Sequence, residues 1–415
     1  MNLSQDGFAA SLGRFMRDQL HRNVSPSGNL IGMWERGEAR PGQEYRAGLM
    51  AYTGLPEWEL GLASPPQHTD SGTLEQSSDT SGEAYPEAAR SVIATGMTLV
   101  GLGLGLRSDV PDRIGPEYAG ELEEAVEAYR AQVYRRGASR QLQREVTDLL
   151  SRAAGSIAHA RTSKVRVHVM NSAADAAGLA GYVCRDLGQH GLAQQHYLLA
   201  VQIARAAGDR AYVGHLVVRL AGHNIEMVRP ADALAYLDLA RRSDLADGFT
   251  HGELSNQHAI EAWACAQAGL TARAVRSAAL AEAEAAREDH RNGPGWRTRH
   301  VAEAELYSLT GAGYAELARH EPVFADEAIR RLNRALELRG GESARNRTLD
   351  TISLAEAHLA AHDVAESART AARAVGSARS SSSQRVRRRL GELRQRLAPY
   401  LDEAELATAF RLSRA

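Results

Sequence analysis

One spacing of small and bulky residues recurs five times between residues 193 and 374, and it constrains the fold more than any other feature. A small residue is followed by an apolar residue, bulky in three of the five units, four positions later and by a second small residue seven positions later. The five triplets are Ala193/Tyr197/Ala200, Ala233/Leu237/Ala240, Ala274/Ala278/Ala281, Ala328/Leu332/Ala335 and Ser367/Ala371/Ala374. Residues three and four apart lie on one face of an α-helix. The units begin 40, 41, 54 and 39 residues apart. The pattern therefore predicts one helix, packed through the same face, in each of five successive units.

A further small residue lies twelve positions before four of these units, at Gly181, Ala221, Ala262 and Ala355, whereas the fourth unit has Glu316 there. Small residues at this offset allow a preceding helix to approach closely. The pattern resembles the tetratricopeptide repeat, in which antiparallel helix pairs stack into a superhelix. The resemblance implies an all-α solenoid over residues 161–379. The residue pattern itself predicts a connecting helical segment at 89–160 and basic capping helices at 380–415. The period exceeds the usual length of about 34 residues, so we expect longer loops or helices.

Composition supports closely packed helices, since aromatic residues make up only 5% of the chain. Cys184 and Cys265 lie within helical patterns and far apart, which favours buried small residues over a disulfide. Lys164 is the only lysine among 49 basic residues. This arginine bias suggests a GC-rich genome, and an actinobacterial origin is our expectation.

The first 63 residues predict a separate small helical domain. Phe8, Leu12 and Met16 line one face of a first helix, and Ser25-Pro26-Ser27 then form a turn before a short second helix. The segments L-S-Q-x-x-F-A-x-x-L-G and I-x-x-W-E-R-G-x-x-x-P resemble the XRE (lambda-repressor-like) helix-turn-helix family. That family usually has another helix before Leu-Ser-Gln, where this chain has only Met1 and Asn2. We therefore expect a helix-turn-helix head that lacks one helix.

The resemblance implies DNA contacts from a recognition helix. Its positions facing the major groove would be Ser27, Gly28, Asn29, Gly32 and Met33. The predicted DNA-binding residues are Gln5, Ser27, Asn29, Arg36 and Arg40. Residues 1–62 hold six arginines and seven acidic residues, so phosphate neutralisation contributes less here than in most DNA-binding modules.

Residues 64–88 are rich in Ser, Thr, Pro and Gly, and they predict a flexible linker. The apolar run that follows, residues 92–106, is shorter than the roughly 20 residues needed to cross a bilayer. The N-terminus has no pattern of a signal peptide. We therefore expect a cytoplasmic protein without membrane contact.

The concave face of such a superhelix is lined by the first helix of each pair, and a ligand is expected there. Polar residues predicted on those helices are Tyr182, Arg185, His215, Arg219, Asn224, Asn256 and His258. Asparagine amides suit a peptide backbone because one side chain both donates and accepts hydrogen bonds. The expected ligand is a peptide, a small molecule or a protein; alternatively, these side chains are solvated or cap their own helices.

The sequence contains no recognisable catalytic or metal-binding motif. His190 and His196 are six residues apart across a predicted turn, without the companion ligands of a zinc site. No phosphate loop or nucleophile motif is present. We expect no enzyme activity, no cofactor and no metal.

The C-terminal helix is strongly basic, with arginines at 385, 387, 388, 389, 394 and 396. Leu390, Leu393 and Leu397 are expected to pack against the last repeat. The basic side is predicted either to contact nucleic acid or an acidic partner, or to be a solvated face. The serine run at residues 380–383 is expected to be a flexible connection that caps this helix.

The order of head, linker and repeats resembles actinobacterial tetratricopeptide regulators and, more distantly, the peptide-responsive repressors of Firmicutes. The resemblance implies a cytoplasmic transcription regulator that binds double-stranded operator DNA as a homodimer and senses a ligand through its helical body. The alternative is a protein-protein interaction scaffold whose head no longer binds DNA.

Overall fold

The computed structural model describes residues 5–20, 24–35, 39, 41–53, 110–241, 245, 248–288 and 302–410. The predicted linker, the apolar run at 92–106, Arg36 and Arg40 lie outside these residues. The described parts contain 17 α-helices, three short 3-10 helices and no β-strand, which confirms the all-α prediction. The chain divides into two compact units. We call the unit described over 5–53 the head and that described over 110–410 the body.

The head contains α1 (Gln5–Leu20), α2 (Gly28–Glu35) and α3 (Gln43–Thr53). These helices share a small apolar core formed by Ala9, Leu12, Met16, Ile31 and Leu49. The Ser27 hydroxyl caps α2 by accepting a hydrogen bond from the Leu30 amide at 3.2 Å. The predicted turn and short second helix are therefore present.

The body begins with α4 (Pro116–Arg136) and α5 (Arg140–Ser156), and five helix pairs follow. The pairs are α6 (Ser163–Asp186) with α7 (His190–Ala207), α8 (Arg210–Glu226) with α9 (Pro230–Ala240), α10 (His251–Gln267) with α11 (Thr271–Ala285), α12 (Glu303–Ala318) with α13 (Ala325–Leu338), and α14 (Ala344–Ala360) with α15 (Val364–Ala378). Two helices end the body, α16 (Gln384–Leu397) and α17 (Glu403–Ala409). The 3-10 helices are Ile157–His159, Pro322–Phe324 and Gly341–Ser343.

The repeated small and bulky residues form the seam within each pair. All five triplets lie on the second helices, and every member is buried. The partner helix comes close enough at Gly181 that a Cβ there would lie 3.0 Å from the Tyr197 ring. Cys184 and Cys265 are buried free thiols in this packing, as the sequence predicted. Small residues are needed because bulkier side chains would separate the helices.

The fourth pair departs from the predicted offset. Glu316 is half-buried, and the close approach occurs at Gly311, where a Cβ would lie 2.8 Å from Leu332 Cγ. The connection between α12 and α13 spans residues 319–324, whereas the other four pairs use three residues. The departure at Glu316 that the sequence shows therefore has a structural reason: the longer connection between α12 and α13 shifts the register.

The three-residue turns within pairs need a left-handed backbone at their middle residue. Gly188 and Gly269 supply it, with φ of 72° and 71°. The equivalent positions in two other pairs hold Val228 and His362, with φ of 54° and 62°. A β-branched residue is strained in this region, and Val228 is also 70% exposed.

The body closes on itself, because its first helices contact its last ones. The Ser382 amide donates to the Arg136 carbonyl at 2.9 Å, and Gly137 packs against Ser383. Ser383 caps α16 by accepting from the Val386 amide at 3.2 Å. The predicted cap of α16 is present. The prediction that residues 380–383 form a flexible connection was wrong, because these serines join the two ends of the body.

The closure is centred on the buried carboxylate of Asp186. It pairs with the guanidinium of Arg345, which is only 1% exposed. It also accepts hydrogen bonds from the Ser383 hydroxyl and the Ala138 amide, each at 2.7 Å. These four groups come from α6, the start of α14, the serine run and the α4–α5 connection, so one carboxylate joins both ends of the body.

Candidate ligand-binding cavity

The closed superhelix surrounds a central cavity of about 100 Å³. The first helices of the five pairs line it, together with α4 and α16. Of the lining residues that the structure describes, only Arg339, which follows α13, comes from elsewhere. The expectation that first helices line the concave face is therefore confirmed. The polar and aromatic lining consists of Tyr134, Tyr182, Arg185, Arg219, Asn256, Trp263, Glu305, Ser308, Arg339, Asn346, Asp350, Ser353, Arg385 and Arg389.

Most cavity arginines are held by carboxylates. Arg339 pairs with Glu305 at 2.8 Å and also with Asp350. Burial alone would lower the pKa of Arg339, but these two carboxylates raise it, so its charge is retained. Paired guanidinium groups of this kind position the wall and offer little free charge.

A second group of arginines surrounds Glu226. Arg185 donates to it at 2.7 Å, Arg388 at 3.2 Å, and Arg385 also pairs with it. Burial raises the pKa of Glu226, but the surrounding guanidinium groups, above all Arg385, lower it well below its usual range. Glu226 is therefore ionised and links α8 to α16.

Arg219 differs from these arginines. It is partly buried on α8, and its guanidinium lies over the Tyr182 ring at 5.2 Å from the centroid. Among the described residues it has no hydrogen bond and no carboxylate within ion-pair distance. The guanidinium N–H donors of Arg219 therefore face the cavity unused.

Two neighbours on α10 have the same property. Asn256 and Trp263 line the cavity, and neither makes a side-chain hydrogen bond to any described residue. The Asn256 amide offers two donors and an acceptor, and the indole of Trp263 offers one donor and an aromatic face. Polar groups on two adjacent helices are thus available to a bound molecule.

The structure brings together four of the predicted groove residues, Tyr182, Arg185, Arg219 and Asn256. The other three do not line this cavity. His215 is buried and stacks on Tyr212, with ring centroids 5.8 Å apart. Asn224 donates to the Leu220 carbonyl of its own helix at 2.9 Å, and His258 lies 3.4 Å from Glu261.

The sequence analysis missed the contribution of the C-terminal helix. Arg385 and Arg389 are mostly buried and line the cavity, and Arg389 pairs with Glu356 at 2.7 Å. These two arginines therefore belong neither to a nucleic-acid surface nor to a solvated face. Arg387 and Arg394 of the same helix are exposed. The leucines at 390, 393 and 397 are buried as predicted. Because α16 is basic around its circumference, its sequence does not reveal which arginines face inward.

A larger neighbouring cavity of about 330 Å³ adjoins the central one and shares Trp263 and Arg389 with it. A third, of about 260 Å³, lies beside Gly188 and His190 and shares Arg185 and Arg385 with the central cavity. Both of these cavities are also lined by Glu226. A ligand larger than the central cavity could therefore extend into these two cavities without a change in the helix packing.

The predicted DNA-binding residues lie in the head. Ser27 and Asn29 are exposed at the N-terminal end of α2, as a recognition helix requires. Gly28 and Gly32 are buried, so the prediction that they face the groove was wrong; a Cβ on Gly28 would collide with Asp6 of α1. Gln5 begins α1, but its side chain lies outside the described residues, as do Arg36 and Arg40.

Comparisons with known proteins provide no relative: no family model, curated protein or solved structure matches this chain. Within the described residues, no cluster of three or more His, Cys, Asp or Glu side chains has the arrangement of a metal site. None of the described helices is long and apolar enough to span a membrane.

Proposed function

We propose that this protein is a DNA-binding transcription regulator whose helical body senses a ligand in the central cavity and mediates homodimerisation. The observation that carries the proposal is the cavity wall at Arg219 and Asn256. A partly buried guanidinium and an amide without partners cost stability unless a bound group or solvent satisfies them. Such a wall fits a body that binds a ligand, whereas a helical spacer would have no use for unpaired polar groups.

The size of the cavity bears on the kind of ligand. A water molecule needs about 10–15 Å³ of such space, so the central cavity has room for several waters. This volume suits a small molecule or one terminal group of a peptide better than a folded partner. Among the ligands expected for a tetratricopeptide body, the small molecule is therefore the one that the cavity favours.

The fold of the head supports DNA binding, whereas its lack of basic residues on α2 limits the affinity. α2 is short, capped by Ser27 and exposes Asn29, whose amide suits an adenine edge in the major groove. However, α2 carries no arginine or lysine. A single head would bind weakly, and a linked pair of heads raises the effective concentration on a two-fold operator. This is the reason for proposing a dimer.

The absence of basic residues on α2 also favours the second candidate function, an interaction scaffold whose head does not bind DNA. The two functions differ in one measurable property. A regulator binds duplex DNA from its own locus with sequence preference, whereas a scaffold does not.

Fluorescence anisotropy of the full chain on labelled promoter DNA from its own locus tests the proposal. We expect tighter binding than to a scrambled duplex of equal length, and we expect Asn29→Ala to weaken specific binding about tenfold or more. Ala47→Ser, at an exposed position of α3, is the matched control and should leave binding unchanged. Equal affinity for both duplexes, or an Asn29→Ala variant that binds like the parent, would favour the scaffold.

A further inference from the structure

The charged groups around the central cavity do not balance. Seven arginines line the cavity or share a carboxylate with an arginine that does: Arg185, Arg219, Arg339, Arg385, Arg388, Arg389 and Arg396. Among the described residues, five carboxylates contact them: Glu226, Glu305, Asp350, Glu356 and Glu392. The group therefore has two more positive than negative charges. An excess of one sign in a partly buried site attracts a ligand of the other sign.

The excess is visible in the behaviour of Arg385. Burial lowers the pKa of this guanidinium to about 10; Glu226 opposes the shift, and the nearby charges of Arg185 and Arg345 add to it. Three arginines thus crowd the wall where α6, α14 and α16 meet. An anion in the cavity would relieve part of this repulsion.

The unpaired position within the group is Arg219. Its guanidinium and that of Arg345 lie at 5.2 Å and 5.3 Å from the centroid of the same Tyr182 ring. Arg345 is paired with Asp186, whereas Arg219 has no carboxylate within ion-pair distance among the described residues and is attracted only at longer range by Glu305. A guanidinium seated on an aromatic ring keeps its in-plane N–H groups free, and their fork matches the two oxygens of a carboxylate or phosphate.

From this arrangement we infer that the central cavity binds a small organic anion, whose carboxylate or phosphate pairs with Arg219 and whose remaining part lies near Asn256 and Trp263. The inference rests on the proposed ligand-sensing role of the body, and it adds the charge and chemical class of the ligand. Asn256 supplies hydrogen bonds to polar substituents, and Trp263 supplies an aromatic face for a planar group. Neutral and cationic molecules lack a negative charge to pair with Arg219 and are disfavoured.

Isothermal titration calorimetry of the full chain tests the inference with three probes of similar shape. Benzoate carries a carboxylate, phenyl phosphate carries a phosphate, and benzamide is the neutral counterpart of benzoate. We expect one or both anions to bind and benzamide to bind at least about tenfold more weakly, because hydrogen bonds to charged groups are the stronger ones. The stronger of the two anions identifies which acid group the site prefers.

Arg219→Met retains most of the apolar stem and removes the charge, so it should lower the affinity for the anions about tenfold or more. Arg219→Lys should retain part of the binding, since the charge remains without the fork. Arg276→Met is the matched control, because Arg276 is also unpaired among the described residues but lies exposed on α11, outside the cavity. This control should bind like the parent. Circular dichroism verifies that each variant keeps its helix content.

Three results would overturn the inference: no binding of either anion up to about 10 mM, equal binding of benzamide and benzoate, or unchanged affinity in Arg219→Met. None of these results depends on DNA. Anion binding through Arg219 combined with DNA binding that is absent or indifferent to sequence would instead remove the proposed regulator and leave the anion site intact.

Discussion

Substituting Asp186 by asparagine tests whether one buried carboxylate closes the body. The carboxylate accepts from the Ser383 hydroxyl and the Ala138 amide and is the counter-charge of Arg345. The asparagine amide would keep the size but lose the charge, and it would leave a guanidinium that is 1% exposed without compensation. Breaking a buried ion pair from one side costs about 3–5 kcal/mol. We expect a loss of this size in the free energy of unfolding.

The assay is urea unfolding followed by far-UV circular dichroism, combined with amide hydrogen exchange. The Ala138 amide donates to Asp186, and the Ser382 amide donates to the Arg136 carbonyl. Both amides should therefore exchange faster if the contact between the two ends of the body opens locally. Replacing both members of the pair, by Asp186→Leu with Arg345→Met, should recover part of the loss because no buried charge is left uncompensated.

The matched control is an exposed ion pair of the same body. Glu366 pairs with Arg369, whose side chain is 68% exposed, so Glu366→Gln should cost less than about 1 kcal/mol. If Asp186→Asn costs as little as this control and the protection of the Ala138 and Ser382 amides is unchanged, the proposed role of Asp186 in closing the body is refuted.

Three further predictions concern stability, each measured by urea unfolding of the full chain. Val228→Gly should stabilise the body by about 0.5–1 kcal/mol because glycine relieves the left-handed strain at φ 54°, and a loss would contradict that strain. Gly181→Ala should destabilise the body by about 1–3 kcal/mol, because the added Cβ would lie 3.0 Å from the Tyr197 ring. Gly120→Ala, where the added Cβ meets no atom within 4 Å, should instead stabilise the body by about 0.5–1 kcal/mol. Equal effects of the two substitutions would refute the packing argument. Burial lowers the pKa of His196 to about 4, from 6.5 when the side chain is exposed. The contribution of neutral His196 to stability is therefore complete above pH 6.5 and is lost as the pH falls towards 4. About 2 kcal/mol of the free energy of unfolding should be lost by pH 5, and His196→Gln should remove this loss.

The helical class and the repeat were predictable because they depend on local spacing. The residues of each triplet, such as Ala193, Tyr197 and Ala200, are three or four positions apart, and helix geometry alone places them on one face. Their burial confirmed that face. The offset of twelve residues does not hold at Glu316, because an offset between two helices includes a connection, and the length of that connection is not encoded in the helix pattern.

The candidate site was predictable only in part. Tyr182, Arg185, Arg219 and Asn256 were placed on the lining because they lie on first helices, and helix order determines the concave face. Which of them is available to a ligand depends on partners far away in the sequence. Arg185 is held by Glu226, 41 residues away, while no carboxylate of the described residues reaches Arg219.

Near-neighbour contacts along the chain were enough to specify an all-helical protein with five similar helix pairs. Three features arise only on folding: the body closes, α16 turns Arg385 and Arg389 inward, and Arg219 has no carboxylate within ion-pair distance among the described residues. Arg345 meets Asp186 across 159 residues, and Arg385 meets Glu226 across the same separation. Such pairings follow from the curvature accumulated over many stacked helices. No local spacing of residues specifies that curvature, so the charge of the cavity emerges only when the ring is complete.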